Sequence, residues 1–276
     1  MNIQEIVAIL VNSGIHPNEA KIEVKMMIEH YCNYTALDVI RGVPLDYEKL
    51  KIVKEKAQER ARLKLPIQYI IGVADFMGNK FRVNKNVLIP RGDTEQLVLR
   101  VIDIIRSNTL KDILDIGTGS GCIPCSIAQS TNCNITSVDI SPLALEVAKE
   151  NAKRLNVSDK INFIESDLFT ALTNKKYDLI VSNPPYIPIG TELQKEVTFE
   201  PEIALFADDE GLAFYKKIIP QALNYLNPNG FIAFEIGYNQ GESVFNILEE
   251  NNFKNIIIEK DMMGLDRVIY GQLSSL

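Results

Sequence analysis

Four consecutive residues, Asn183-Pro184-Pro185-Tyr186, close an apolar run, Tyr177-Asp178-Leu179-Ile180-Val181-Ser182. The run reads as a buried strand. Two prolines cannot continue a hydrogen-bonded ladder, so the tetrapeptide ends the strand in a stiff turn. An amide side chain and free carbonyls then project beyond the strand's C-terminal edge, where open α/β sheets bind ligands. The Asn183 carbonyl and a proline-flanked backbone carbonyl are acceptors without competing charge. Two such acceptors side by side suit a planar NH2 group, so the motif implies a pocket for a primary amine or amide. Asn and Pro are also ordinary turn residues, and the same four residues could form a plain surface turn. Their place after a strand of a cofactor-binding pattern favours a functional role.

That pattern begins at Lys111 to Ile116, which reads as a buried parallel strand. It runs into Gly117-Thr118-Gly119-Ser120-Gly121 and then an apolar helix from about Cys122 to Gln129. A glycine-rich loop is weak evidence alone. Strand, loop and helix together, with an acid after the next strand, form a nucleotide-binding βα turn. Three glycines let the backbone pass close to a ligand. Asp115, just before the loop, would repel a pyrophosphate but attract a cationic amine. The next strand, Asn134 to Val138, ends at Asp139, placed to accept from both ribose hydroxyls. A third, Ile161 to Ile164, leads into Glu165-Ser166-Asp167-Leu168. Asp167 is expected to accept from an adenine amino group, with Leu168 against the ring. Ribose and adenine without a phosphate cradle point to S-adenosylmethionine rather than NAD or ATP.

The elements around these residues divide into two kinds. Residues 1 to about 70 read as helical, with helices ending at Ser13-Gly14, running from Pro17 to about His30, from Thr35 to Arg41, and from an Asp46 cap to about Lys64. The last carries a charged side, Lys49, Lys51, Lys54, Glu55, Lys56, Glu59, Arg60 and Arg62, read as a solvated face or a docking surface. Pro66 is expected to end the region. A β-hairpin over Phe76 to Val83, turning at Gly78-Asn79, leads to a helix capped by Thr94. From Lys111 strands and helices alternate, which implies a parallel sheet. The last strands, about Asn255 to Glu259 and Val268 to Gly271, are too close for a crossover helix and should pair antiparallel. The expected division is a helical domain over 1–72, a hairpin linker over 73–90 and a catalytic domain over 91–276.

Composition narrows the function classes. A net charge of −7 argues against a large nucleic-acid footprint. No apolar run reaches the ~18 residues of a membrane span, and the first residues lack the pattern of a signal peptide, so a cytoplasmic protein is expected. Cys122 and Cys125 have C-x-x-C spacing, but they fall on the apolar face of a helix with no matching second pair, and read as core thiols. No metal site is expected. His16 and His30 read as surface or structural residues.

Beyond Asp115-to-Gly121 and Asn183-to-Ile187, four segments complete a pattern: Pro66-Ile67-Gln68-Tyr69-Ile70-Ile71-Gly72, Val87-Leu88-Ile89-Pro90-Arg91, Phe199-Glu200-Pro201, and Lys260-Asp261 through Gly264-Leu265-Asp266-Arg267-Val268-Ile269. Over nearly its full length the chain resembles the peptide chain release factor glutamine methyltransferases (the PrmC/HemK family). One departure is Gly92, where that family usually has proline. The resemblance implies a class I, Rossmann-like, seven-stranded S-adenosylmethionine-dependent methyltransferase domain behind a small helical domain joined by a β-hairpin. It implies methyl transfer to the side-chain amide nitrogen (N5) of the glutamine in the Gly-Gly-Gln motif of class 1 release factors, with S-adenosylhomocysteine as co-product. Gly117 to Gly121 would line the cofactor's methionine and ribose side, Asp139 would bind the ribose, and Leu168 would flank the adenine. Asn183 and the Pro184 carbonyl would hold the substrate amide, Tyr186 would pack against it, the helical module would grip the release factor, and Ile187 to Leu212 would cover the site. Nothing demands a membrane, direct nucleic-acid contact or more than a monomer. Two rivals stay open: a nucleic-acid adenine-N6 methyltransferase, disfavoured by the acidic charge, and a non-catalytic adaptor, disfavoured by the intact Gly117, Asp139 and Asn183.

Overall fold

The computed structural model describes residues 2–173 and 175–274. Contacts divide the chain into two compact units: residues up to Val73 with Leu193–Phe199, and Ala74–Glu192 with the chain from Glu200 onward.

The first unit is helical: α1 (Ile3–Asn12), α2 (Pro17–Cys32), α3 (Ala36–Ile40), α4 (Tyr47–Leu63) and α5 (Ile67–Ile71). Asn2 and Asp46 cap α1 and α4, each accepting a backbone N–H at 2.9 Å. Ile6, Leu10, Val24, Met27, Val53 and Ala57 pack between α1, α2 and α4. Two expectations are corrected here. Pro66 does not end the helical region but sits at the N-cap of α5, whose first turn tolerates a residue without an N–H. Arg60 is not on the solvated side of α4. It is fully buried, with Nη2 2.8 Å from Oε1 of Glu23 and a second ion pair to Glu196. A buried guanidinium needs such partners, because an unpaired charge out of water is costly.

The second unit opens with the hairpin β1 (Val73–Phe76) and β2 (Asn79–Arg82). It turns at Met77-Gly78, one residue earlier than expected, with φ of 49° and 73°, the left-handed pair of a tight hairpin. The Met77 N–H donates to Oε1 of Glu95 at 2.6 Å. Helix α6 (Gly92–Asn108) begins at Gly92, so Thr94 is a buried first-turn residue and not the cap. Then follow β3 (Asp112–Ile116), α7 (Cys122–Ser130), β4 (Asn134–Asp139), α8 (Pro142–Arg154), β5 (Ile161–Glu165), β6 (Tyr177–Ser182), the short β7 (Ile187–Pro188) and β8 (Phe206–Ala207), α9 (Ala213–Ala222), β9 (Leu226–Glu235), α10 (Gly241–Glu250), β10 (Phe253–Lys260) and β11 (Asp266–Leu273).

Seven strands form one sheet in the order β10-β11-β9-β6-β3-β4-β5. β9, β6, β3, β4 and β5 are parallel, while β11 is antiparallel to both its neighbours. Successive strand residues feed opposite faces: Ile113, Leu179 and Val181 join one core, Leu114, Ile116 and Ile180 the other. Cys122 and Cys125 are buried in the first core, and burial pushes the Cys122 thiol up to about 12, so it stays protonated at neutral pH. The strand order reverses at β3, with β4 on one side and β6 on the other. Ile116 is level with Val138 and with Ser182, which brings the segments after β3, β4 and β6 to one crevice.

Candidate active site

A cavity of about 490 Å³ lies beyond those strand ends. That volume is within the range of small-ligand pockets. Of the residues singled out in the sequence, Gly117, Gly119, Asp139, Asp167, Leu168, Asn183, Pro184 and Pro185 line it. Ile140, Ser141, Ala144, Phe214 and Lys217 also line it, with Lys85 to Leu88 from the segment after β2 and Pro201, Ile203 and Ala204 from the β7–β8 connection. Asp115, Thr118, Ser120, Gly121 and Tyr186 are not part of the lining.

The three loop glycines act differently. Gly117 and Gly119 have φ of 77° and 52°, and a Cβ on either would meet no protein atom within 4 Å. They leave the open side of the loop free for a ligand. Gly121, with φ of 77°, would place a Cβ 3.0 Å from the Ala148 Cβ, so it permits the close approach of α7 and α8. The Gly119 N–H donates to Oδ2 of Asp139 at 2.8 Å, and the Ser141 N–H donates to Oδ1 at 2.9 Å. Each carboxylate oxygen keeps a further lone pair for a hydroxyl. Burial raises the Asp139 carboxyl above the usual range. Asp167 is exposed at the rim, and Leu168, with φ of 50°, turns the chain beside it.

Asp115 lies beneath the loop, fully buried. The Ser137 hydroxyl donates to its Oδ2 at 2.5 Å and lies 2.9 Å from Oγ1 of Thr118, while Asp115 Oδ1 has no hydrogen-bond partner among the described residues. Burial pushes its carboxyl up to about 7.

Asn183 is half-buried at the end of β6, and the peptide bonds before Pro184 and Pro185 are trans. Asn183 Nδ2 donates to Oγ1 of Thr94 at 3.2 Å, and the Thr94 hydroxyl donates to Oε2 of Glu235 at 2.6 Å. The Tyr186 hydroxyl donates to the other oxygen, Oε1, at 3.1 Å. Burial raises both the Glu235 carboxyl and the Tyr186 hydroxyl. Behind the motif, Gln240 Nε2 donates to the Tyr186 carbonyl at 3.0 Å, while Gln240 Oε1 accepts from the Gly237 N–H at 2.9 Å. Buried Glu200 accepts from the Ile89 N–H at 2.9 Å and pairs with Arg91, anchoring the β7–β8 connection.

The sequence pattern marks Thr94 only as a helix cap and does not single out Glu235. Glu235 did leave a signal: it is an acid closing the apolar run Phe231-Ile232-Ala233-Phe234. Phe234 is in register with Ser182, so that acid lies beside Asn183 at the same sheet edge.

Residues 94–200 match the family of the Methyltransferase small domain. The release factor glutamine methyltransferase of Clostridium botulinum is 42% identical over 233 residues, 81% of this chain and 82% of that protein. The chain belongs to the release factor glutamine methyltransferase family. Its relative in Fusobacterium nucleatum is 45% identical over 222 residues, but those span 79% of this chain and 62% of that longer protein. The crystal structure of ribosomal protein L11 methylase from Lactobacillus delbrueckii subsp. bulgaricus superposes with a TM-score of 0.51 at 24% identity, over 73% of this chain and 89% of that one. That likeness shows the methyltransferase fold. No helix among the described residues is long and apolar enough to cross a membrane.

Proposed function

We propose that the protein methylates the side-chain amide nitrogen of the glutamine in the Gly-Gly-Gln motif of class 1 release factors, using S-adenosylmethionine. The observation that carries this reading is Asn183. It stands at the cavity wall with its NH2 committed to Thr94, which leaves its carbonyl oxygen as an acceptor beside Pro184. Two N–H bonds of a planar amide need such acceptors.

The cavity fits the cofactor. The open glycines admit a ligand against the backbone, Asp139 has lone pairs for a diol, Asp167 and Leu168 offer an acceptor and an apolar surface for a base, and the glycine loop carries no cation for a phosphate. S-adenosylmethionine, when bound, supplies an electrophilic methyl group. The residues of this chain then bind and orient. A glutamine amide nitrogen is a poor nucleophile, because its lone pair is shared with the carbonyl. Acceptors on both amide hydrogens fix the NH2 plane and stabilise positive charge developing on nitrogen. The proton leaves after transfer, so no strong base is required at the motif. Orientation alone can lower a barrier by on the order of 7–11 kcal/mol. The helical unit would bind the release factor, with no nucleic acid needed.

Incubating the purified chain with S-adenosylmethionine and a class 1 release factor, then mapping the digest by mass spectrometry, tests this. One methyl on the Gly-Gly-Gln glutamine is expected. An unmodified factor together with methylated adenine in added DNA or RNA would overturn it.

A further inference from the structure

The amide of Asn183 could face the cavity with either end, since oxygen and NH2 are nearly the same size. We propose that Glu235 and Thr94 form a one-way hydrogen-bond relay that decides this, holding the oxygen of Asn183 toward the substrate; the proposal rests on reading Asn183 as the acceptor for the glutamine amide. The argument is a count of protons. Glu235, buried to 1% exposure, accepts one hydroxyl proton on each oxygen, from Thr94 at 2.6 Å and from Tyr186 at 3.1 Å. Thr94 owns a single hydroxyl proton and gives it to Glu235. Its oxygen can then only accept on the side facing Asn183, 3.2 Å away. Just one end of the Asn183 amide can answer an acceptor, and that is the NH2. A flipped Asn183 would set two acceptor oxygens against each other at a buried position, and its NH2 would face the NH2 of the substrate.

The relay is anchored from three elements. Thr94 is in the first turn of α6, Glu235 ends β9, and the Tyr215 hydroxyl on α9 donates to the Glu235 backbone carbonyl at 2.8 Å. Neither Thr94 nor Glu235 lines the cavity, so neither touches substrate. Both are positioning residues acting through Asn183.

The test is a double-mutant cycle on the full-length protein, reading initial rates on the release factor, with S-adenosylhomocysteine affinity measured by calorimetry. Thr94→Val removes the hydroxyl at nearly constant shape and should lower kcat/KM by about 10- to 100-fold. Thr94→Ser should restore it to within about threefold, and cofactor affinity should hold in both. In an Asn183→Ala background Thr94→Val should cost almost nothing more, because residues in one network are not additive. A Thr94→Val loss that is equal in both backgrounds, or absent in wild type, overturns the relay. A second measurement needs no substrate. In 15N-edited NMR spectra the Asn183 side-chain NH2 pair, assigned by its loss in Asn183→Ala, should shift and exchange faster in Thr94→Val but not in Thr94→Ser. If wild type leaves the release factor unmethylated, the proposed function fails, while an unmoved NH2 pair in Thr94→Val would still refute the relay by itself.

Discussion

An amide nitrogen gains little from a base and much from being aimed, so the side chain that aims it should govern turnover. Asn183→Ala removes the proposed acceptor while leaving the glycine loop, Asp139 and Leu168 in place. Turnover should fall by about 10²–10³, in line with the loss of one preorganised hydrogen bond at a developing charge. Cofactor affinity should change by no more than a few-fold. Initial rates and calorimetry separate the two, and parallel losses would defeat the positioning role. The difference between Asn183 and its partners also shows what a sequence can reveal. Asn183 follows an apolar run and Asp139 closes the strand after the glycine loop, so their place at a sheet edge follows from local pattern alone. Thr94 is 89 residues from Asn183 and 141 from Glu235, and no local periodicity links residues so far apart. Thr94 is also a good capping residue, and that local reading hid its tertiary use.

The glycine loop depends on elements that flank it. Asn151, on α8, is buried to 1% exposure. Its Nδ2 donates to the carbonyls of Arg82 and Ser120 at 2.9 Å each, and its Oδ1 accepts from the Arg82 N–H at 2.7 Å. One side chain thus ties α8 to the edge of the hairpin and to the loop. Asn151→Ala would strand a backbone N–H and two carbonyls, and should destabilise the protein by about 2–4 kcal/mol. Denaturant titration reads this as a lower midpoint, and a change under about 0.5 kcal/mol would show that these bonds are replaceable. The strands of the seven-stranded sheet, the first four helices and the terminal antiparallel hairpin were legible from periodicity and connection length, whereas the short α5, β7 and β8 offer too few residues for a period to show. The charge of Arg60 conceals its period. It follows Val53 and Ala57 at the spacing of the buried stripe of α4, and the Glu23 and Glu196 partners that make its burial tolerable lie far away in sequence. The hairpin turns one residue before Gly78-Asn79 because Met77, an unusual residue at positive φ, takes the first turn position.

Across the whole molecule the buried acids set how stability responds to pH. Asp115, Asp139 and Glu235 all have carboxyls raised by burial, and Asp115 reaches about 7 from an ordinary 3.8. A raised acid binds its proton more tightly in the folded state, so between about pH 4 and 7 the folded chain holds a proton that the unfolded chain has released. Stability therefore falls as pH rises through that window and stays low above it. For Asp115 the full penalty is on the order of 4 kcal/mol. The excess of acids acts in the same direction, since a net charge of −7 repels itself more as pH moves away from the pI near 5.1. Asp178 and Asp261 oppose this trend, being held below the ordinary carboxylate value by hydrogen bonds, and the stability they add is lost only as pH falls below the window. Thermal unfolding should accordingly show a higher midpoint near pH 6 than near pH 8. Asp115→Asn keeps the shape and removes the buried charge, so it should raise the midpoint at pH 8 by several degrees and at pH 5 by clearly less, flattening the profile. An Asp115→Asn effect of the same size at both pH values would mean that the unpartnered Oδ1 is not paying for a charge at neutral pH, and that the slope of the wild-type profile arises elsewhere.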